Sequence, residues 1–154
     1  MPYSSGTRSC HNQHQDAGIG LWLHDWLVGF QAAQDGVAFS SIVVAPAITT
    51  SAALPSMRGE YDTPRGRVVV SWARDASGVF PLNVTAPVNT RVLTRLPTLG
   101  REGARVTESG RVLWPVAAAA EVAGIAAITA AGAGAGGPTI DVEHGSGSYC
   151  FLVT

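Results

Sequence analysis

The sequence predicts a mainly β protein, an antiparallel β-sandwich of Greek-key type preceded by one amphipathic helix. Short segments that alternate apolar and polar residues recur along the chain, with turn-forming residues about every ten positions, which is typical of sandwiches. No strand–helix–strand alternation follows the helix, so a parallel sheet is not expected. A hydrophobic fraction of 46% against 14% charged residues indicates a chain that builds a core rather than a disordered one.

The chain divides into three predicted parts. Residues 1–15 form a flexible polar tail, residues 16–31 an amphipathic helix, and residues 38–154 the sandwich. Asp16 suits the N-cap, because its carboxylate can accept hydrogen bonds from free amide groups of the first turn. The apolar face of this helix has helical spacing and consists of Ile19, Trp22, Leu23, Trp26, Leu27 and Phe30. Such a large aromatic surface requires something to pack against.

The predicted strands have a period of two. They are 39–46, 53–61, 67–74, 79–87, 89–97, 104–109, 111–116 and two strands within 139–154. In the third of them, Val68, Val70 and Trp72 share the side that faces the core. Pro81 predicts that the fourth is an edge or bulged strand. We interpret the Ala/Gly-rich stretch 117–137 as a loose insertion between strands, because its glycines disfavour regular structure.

The stretch 61–72 reads YDTPRGRVVVSW and is predicted to contain a hairpin corner. Pro64 fixes the backbone on entry to the turn, and Gly66 allows a tight reversal. The turn therefore shapes the fold and is not expected to carry chemistry.

Charge and cysteine content limit the partners and cofactors. The net charge is −1 and there is no basic tract, so a nucleic-acid partner is not expected. No signal peptide is visible, and the uncharged region 122–140 lacks the roughly 20 strongly apolar residues of a membrane span, so no membrane partner is expected. Cys10 and Cys150 have no metal-ligand spacing, so we expect no metal or other cofactor. A bridge between them is possible if the termini meet.

The carboxylates and histidines are scattered, and we assign no catalytic residue. Glu60 and Asp62 share one strand face and could flank a sugar bond, as glycoside hydrolysis requires. A solvated pair beside a turn is the favoured interpretation. His11 and His14 have a spacing that can bind a metal on a helix, but no third ligand accompanies them.

Trp72 and Trp114 are candidates for a sugar-binding platform, because a sugar ring can stack on an indole. Arg65, with Arg58 and Arg67, would supply polar neighbours. Because Trp72 is in phase with inward-facing valines, the interpretation as a core tryptophan is favoured.

The order of several segments adds a resemblance. An aromatic stretch, GLWLHDWLVGF, precedes FSSIVVAP, GEYDTPRGRVVVSW, LNVTAPVNT, VTESG and a closing GSGSYCF. This order resembles the C-terminal end of the α-L-rhamnosidases, multidomain glycoside hydrolases that remove terminal L-rhamnose with inversion. The resemblance covers residues 15–154. In that family the last helix of an (α/α)₆ barrel leads into a C-terminal β-sandwich, which implies that helix 16–31 is the remnant of such a barrel.

The resemblance implies a non-catalytic module that packs against and supports a catalytic α/α barrel. That barrel, absent from this chain, would be a domain of the same polypeptide in a parent protein (in cis) or would belong to another chain (in trans). The chain alone is therefore expected to be inactive. The alternative is a free-standing, lectin-like sandwich that binds rhamnose-containing glycans. This alternative requires Trp72 or Trp114 to be exposed.

Overall fold

The computed structural model describes residues 14–48, 54–75, 77–115, 122–134 and 137–154. Helix α1, His14–Trp22, continues as a π-helical segment, Leu23–Val28, and a short 3₁₀ turn occupies Val37–Phe39. The strands are β1 Phe30–Ala32, β2 Ser41–Val44, β3 Ser56–Thr63, β4 Gly66–Ala73, β5 Phe80–Ala86, β6 Arg91–Pro97, β7 Val106–Glu108, β8 Arg111–Trp114, β9 Ile125–Gly134, β10 Gly137–His144 and β11 Gly147–Val153. Among the described residues, no helix is long and apolar enough to cross a membrane.

The strands form two sheets with a shared core. One sheet has the order β1-β2-β6-β10-β9 and the other β3-β4-β5-β11-β7-β8. The chain crosses repeatedly between them, for example from β5 to β6 and from β10 to β11, so that neighbours within a sheet are often distant in sequence. This architecture confirms the predicted β-sandwich. One detail differs from the expectation, because β2 and β6 pair in parallel.

Period-two alternation decides which side chains fill the space between the sheets. Val68, Val70 and Trp72 of β4 are 1%, 1% and 3% exposed, as their phase predicts. Both sheets contribute large side chains that are fully buried, including Phe80, Leu82, Phe151, Ile42, Val92 and Leu96. The core is therefore a single cluster shared by the two inner faces.

The helix ends earlier than predicted. It stops at Val28 because Gly29 has a left-handed φ of 82° and its N–H donates to the carbonyl of His24 at 3.0 Å. Glycine adopts this conformation without a steric penalty. Phe30, placed on the helix face by its spacing, instead begins β1 and is 4% exposed. The predicted helix over 16–31 was wrong in its last three residues, where pairing with β2 replaces helical bonds.

The Ala/Gly-rich stretch 117–137 contains a strand. Ile125–Gly134 forms β9, the outermost strand of its sheet, antiparallel to β10. The prediction of a loose insertion was wrong for these residues, because a neighbouring strand supplies a full ladder that overrides weak strand propensity. Residues 116–121 and 135–136 lie outside the described residues.

Strand β5 is an interior strand and not an edge, although it contains Pro81. Its ladder with β4 ends at the pair Trp72 and Leu82, so Pro81, the residue before Leu82, has no partner in β4. The missing N–H of Pro81 therefore breaks no bond to β4, which explains why the edge prediction was wrong.

The hairpin corner between β3 and β4 is confirmed. Thr63 and Gly66 close a two-residue turn, and Gly66 has a φ of +129°. The Thr63 hydroxyl accepts from the Arg65 N–H at 3.1 Å and donates to the Gly66 carbonyl at 2.7 Å. Pro64 occupies the first turn position, where a fixed φ is favourable.

Two contacts fasten the helical segment to the six-stranded sheet. The Trp72 indole N–H donates to the carbonyl of Leu27 at 2.7 Å. Next to it, Val28 lies directly over Gly59 of β3, where a Cβ atom would stand 2.6 Å from Val28 Cγ2 and 2.8 Å from Val28 Cγ1. The absence of a side chain at Gly59 is what lets the helix end approach the sheet.

We expect Gly59→Ala to lower the free energy of unfolding by about 1–3 kcal/mol, because the added methyl group collides with Val28. Urea denaturation followed by circular dichroism measures the loss. Gly132→Ala is the matched control, since a Cβ there meets nothing within 4 Å. The double variant Gly59→Ala/Val28→Ala should be less destabilised than the two single losses added together. Simple additivity would contradict the proposed contact.

The N-terminal predictions fall largely outside the described residues. The tail over 1–15 lies there except for its last two residues, which begin the helix. Cys150 is exposed, but Cys10 lies outside the described residues, so the bridge between them stays a prediction.

Candidate functional site

The two candidate tryptophans lie far apart in the six-stranded sheet. Trp72 on β4 faces the core, with its ring centroid 5.9 Å from that of Phe80, and its indole N–H donates to the Leu27 carbonyl. Trp114 ends β8 and is half-buried against the core. Strands β5, β11 and β7 separate them, roughly 19 Å at a strand spacing of about 4.8 Å. The structure does not bring them together as one platform.

Arg65 holds two loops in place. Its Nε donates to the Ala38 carbonyl at 2.9 Å, and its Nη1 donates to the Asn89 carbonyl at 3.2 Å. These acceptors belong to the connections before β2 and before β6, which are remote in sequence. The guanidinium predicted as a polar neighbour of a sugar thus joins the hairpin corner to two other turns.

Glu60 and Asp62 lie in a network of ion pairs on the outer side of the β3–β4 hairpin. Arg67 pairs with Asp62 through Nε–Oδ1 at 2.8 Å and with Glu60 through Nη1–Oε2 at 3.2 Å, and Arg58 also pairs with Glu60. The hydrogen bond and charge of Arg67 lower the pKa of Asp62 below its ordinary value. An inverting hydrolase needs one protonated carboxyl beside one ionised carboxylate, and a carboxylate held ionised by arginine is a poor proton donor.

The structure does not test a metal site at His11 and His14. His11 lies outside the described residues, and His14 is the first residue of α1. Across residues 14–48, 54–75, 77–115, 122–134 and 137–154, no three His, Cys, Asp or Glu side chains are placed to hold a metal ion.

His144 is a buried histidine between the sheets, at 2% exposure. Its Nδ1 lies 3.0 Å from the Gly145 carbonyl and its Nε2 lies 2.9 Å from the Thr94 hydroxyl. Because a carbonyl only accepts, Nδ1 carries the proton and Nε2 accepts from Thr94. Burial lowers the pKa of His144 from 6.5 to about 4, against the smaller opposing effects of the Gly145 bond and the Glu108 charge.

An aromatic pocket opens between the helical segment and the edge of the six-stranded sheet. Its lining contains an aromatic set, Phe30, Phe39 and Tyr61, and a polar set, His24, Asp25 and Gln31, together with Gly20, Leu21 and Ala32. We call the aromatic set the aromatic wall and the polar set the polar wall. The three rings contact one another, with centroids 5.0–5.9 Å apart, and the cavity holds about 580 Å³. Tyr61 is 40% exposed. Its phase along β3 matches the inward-facing Met57 and Gly59, a signal in the sequence that could have revealed it.

The loop that carries Phe39 has an unusual backbone. Ala38 and Phe39 have φ values of 49° and 57°, a left-handed conformation that disfavours residues other than glycine. The bond from Arg65 to the Ala38 carbonyl holds this loop against the hairpin corner. The Phe39 ring is thereby stacked on Phe30 at 5.9 Å. Sequence reasoning did not find this arrangement, because it depends on three segments that meet only in the fold.

A second cavity, of about 830 Å³, lies on the outer side of the five-stranded sheet. Its lining includes Arg91, Arg95, Glu143 and Gln31, with Val43 and Leu93 on its floor. Arg95 is already paired with Asp141 at 3.4 Å. Among the described residues, His144 supplies the only aromatic ring of this lining, which contains no Phe, Tyr or Trp, so this cavity offers less to a flat ligand than the aromatic pocket does.

A comparison with family models links the chain to known proteins. The model described as bacterial alpha-L-rhamnosidase C-terminal domain matches residues 29–111, which is more than half of the chain. The match begins at the end of the helical segment and includes the β3–β4 hairpin. No curated protein sequence matches the chain.

Solved structures with the same fold include three α-L-rhamnosidases. The enzyme from Dictyoglumus thermophilum is 19% identical, with a TM-score of 0.68 over 89% of this chain and 13% of its own. The enzyme from Streptomyces avermitilis, solved with L-rhamnose, is 21% identical, with a TM-score of 0.63 over 88% of this chain and 11% of its own. The Aspergillus terreus enzyme is 22% identical, with a TM-score of 0.53 over 88% and 11%. The chain therefore spans only about an eighth of the length of these enzymes.

Proposed function

The chain belongs to the family of bacterial α-L-rhamnosidase C-terminal domains, and we propose that it is a non-catalytic sandwich that packs against and supports a catalytic α/α barrel. The proposal has three parts. The chain divides into a helix and a sandwich, the chain has no hydrolytic site, and the helix docks onto the barrel. The barrel would belong either to the same polypeptide or to another chain.

An exposed apolar stripe on the helical segment carries this proposal. Ile19, Trp22, Leu23 and Trp26 are 67%, 51%, 39% and 46% exposed. Isolated exposed apolar residues are common, but four on one helix side form a patch of the kind that marks an interaction surface. The same segment is anchored to the sandwich at its other end by Leu27 and Val28, so its stripe is held at a fixed place.

The length of the related enzymes and the position of the stripe indicate which partner covers it. The chain matches a family of C-terminal domains and spans about an eighth of the solved enzymes. Most of such an enzyme thus precedes this segment in sequence, and the stripe lies at the N-terminal side of the domain. A catalytic domain is therefore the partner that fits the surface best.

Charge pairing supports the absence of a hydrolytic site. Glu60 and Asp62 are engaged by Arg58 and Arg67. A pair of carboxyls for inverting hydrolysis must lie on either side of the bond that is cut, with room for a water. These two lie on one exposed strand face and are tied to arginines.

We expect Trp22→Ser/Trp26→Ser to weaken association with a catalytic domain at least about tenfold while leaving the fold intact, because both indoles are half exposed. The partner is the Dictyoglumus thermophilum enzyme truncated before its equivalent of this domain, and sedimentation of mixtures measures binding. Val88→Ser is the matched control, since Val88 is an exposed apolar residue in the turn between β5 and β6, outside the helical segment.

Three results would contradict the proposal. One is that the tryptophan variant binds as well as the wild type. Another is that the control variant loses as much affinity as the tryptophan variant. The third is that the purified chain hydrolyses an aryl α-L-rhamnoside and loses that turnover in Glu60→Gln.

A further inference from the structure

We propose that the aromatic pocket binds a pyranose sugar, with one face of the ring stacked on Tyr61 and its hydroxyl edge turned toward the helical segment. This site is separate from the docking of the stripe. It also replaces the indole platform as the place where a sugar would bind.

The cavity has the size and lining of a small-molecule site. Its volume of about 580 Å³ lies within the roughly 300–1,000 Å³ usual for ligand pockets. One wall is apolar and aromatic, and the other carries an imidazole, a carboxylate and an amide. A ligand that matches both walls needs one apolar face and a rim of hydrogen-bonding groups, which describes a pyranose.

The aromatic wall favours a flat ring over a cation. Phe30 and Phe39 stack with their planes 15° apart, and Tyr61 leans on both at 5.0 and 5.6 Å. The rings therefore pack against one another and do not surround an empty centre, as a cage for an ammonium group would. The exposed part of Tyr61 is left as a surface on which C–H groups can stack.

The polar wall is fixed in part before any ligand arrives. The Gln31 Nε2–H donates to the backbone carbonyl of Asp25 at 3.0 Å. This bond orients the amide at the pocket edge. His24 meets Tyr61 edge-on at 6.2 Å, and its Nδ1 has no hydrogen-bond partner among the described residues. Sugar hydroxyls can both donate to the Asp25 carboxylate and accept from the Gln31 amide.

The strained loop gives the pocket its shape. Left-handed residues other than glycine are strained and are concentrated at sites that clamp ligands. Ala38 and Phe39 are two such residues in succession, and Arg65 holds their backbone. Arg65 is thus a positioning residue that keeps the Phe39 ring on the pocket wall.

The pocket and the stripe occupy different sides of the helical segment. At roughly 100° per residue, the directions of Gly20 and His24 differ by about 100–160° from those of Ile19, Trp22 and Trp26. A catalytic domain seated on the stripe would leave the pocket side free. Failure of one proposal therefore does not decide the other.

Titration of the ¹⁵N-labelled chain with methyl glycosides of L-rhamnose, D-glucose and D-galactose tests the site. We expect saturable amide shifts for at least one sugar, concentrated at residues 20–25, 31, 39 and 61. Tyr61→Ala should weaken binding at least about tenfold. Tyr61→Phe keeps the ring and should bind within about twofold of the wild type, and Trp114→Ala, outside the pocket, should bind normally.

The remaining outcomes decide against the proposal. It is overturned if no sugar gives saturable shifts at the pocket, or if Tyr61→Ala binds as the wild type does. It is equally overturned if tetramethylammonium saturates the pocket and the sugars do not. If Tyr61→Ala fails to fold, Asp25→Asn provides a second variant that preserves the aromatic wall. We expect Asp25→Asn to weaken sugar binding as well.

Discussion

Trp72→Ala is expected to lower the free energy of unfolding by about 3–5 kcal/mol, as buried aromatic truncations do. The indole is 3% exposed between the sheets and contacts Phe80. Its N–H also donates to the Leu27 carbonyl, so the truncation releases the helical segment as well as leaving a cavity. Urea denaturation followed by both circular dichroism and tryptophan emission measures the loss.

Two further substitutions divide this effect into its parts. Trp72→Phe keeps much of the packing and removes the hydrogen bond, which contributes about 1 kcal/mol to stability. Trp114→Ala removes an indole of equal size that is half-buried, so its loss should be clearly smaller. A loss below about 1 kcal/mol in Trp72→Ala would contradict a core position for this residue.

Most of the sandwich could be predicted because strand alternation is a local signal. Val68, Val70 and Trp72 have a phase that depends only on their own sequence, and the same holds for Phe151 and Val153 in the last strand. Burying these side chains is the main driving force of the fold, so the pattern and the structure agree. The hairpin corner was predictable for a similar reason, since proline and glycine act on their own backbone.

The errors arise where a distant partner decides the outcome. Phe30 has helical spacing, yet a left-handed glycine before it and pairing with β2 make it a strand residue. The alanines of β9 have weak strand propensity, yet β10 supplies their ladder. Pro81 is tolerated in an interior strand because the ladder with β4 ends at Leu82 and does not reach the proline. None of these partners is visible in the local sequence.

The candidate site likewise combines features that follow from the local sequence with features that depend on distant partners. The phase of Trp72 predicted that it faces the core, whereas the role of Arg65 could not be predicted, because its acceptors at Ala38 and Asn89 are 27 and 24 residues away. The aromatic pocket combines Phe30, Phe39 and Tyr61 from three segments. Its residues carry no shared spacing, so only the fold brings them together.

Lowering the pH from about 6.5 to about 4 is expected to reduce the free energy of unfolding by about 3 kcal/mol through His144 alone. Burial lowers the pKa of His144 in the folded protein to about 4, while the unfolded chain has the ordinary value of 6.5. Between these values the unfolded state binds more protons, so stability is fully present above pH 6.5 and is lost as the pH falls toward 4.

His144→Gln isolates this contribution, because glutamine keeps an acceptor for the Thr94 hydroxyl and does not titrate. The Glu108 carboxylate, whose charge acts on His144, remains in the variant, as does Tyr149, whose ring lies 4.2 Å from the imidazole. Urea denaturation at several pH values should show a shallower decline for the variant between pH 6.5 and 4. Equal declines in the two proteins would mean that His144 is solvated or already charged in the folded state. The exposed carboxylates with lowered pKa, Asp62 and Asp75, contribute equally to both proteins and cancel in the comparison.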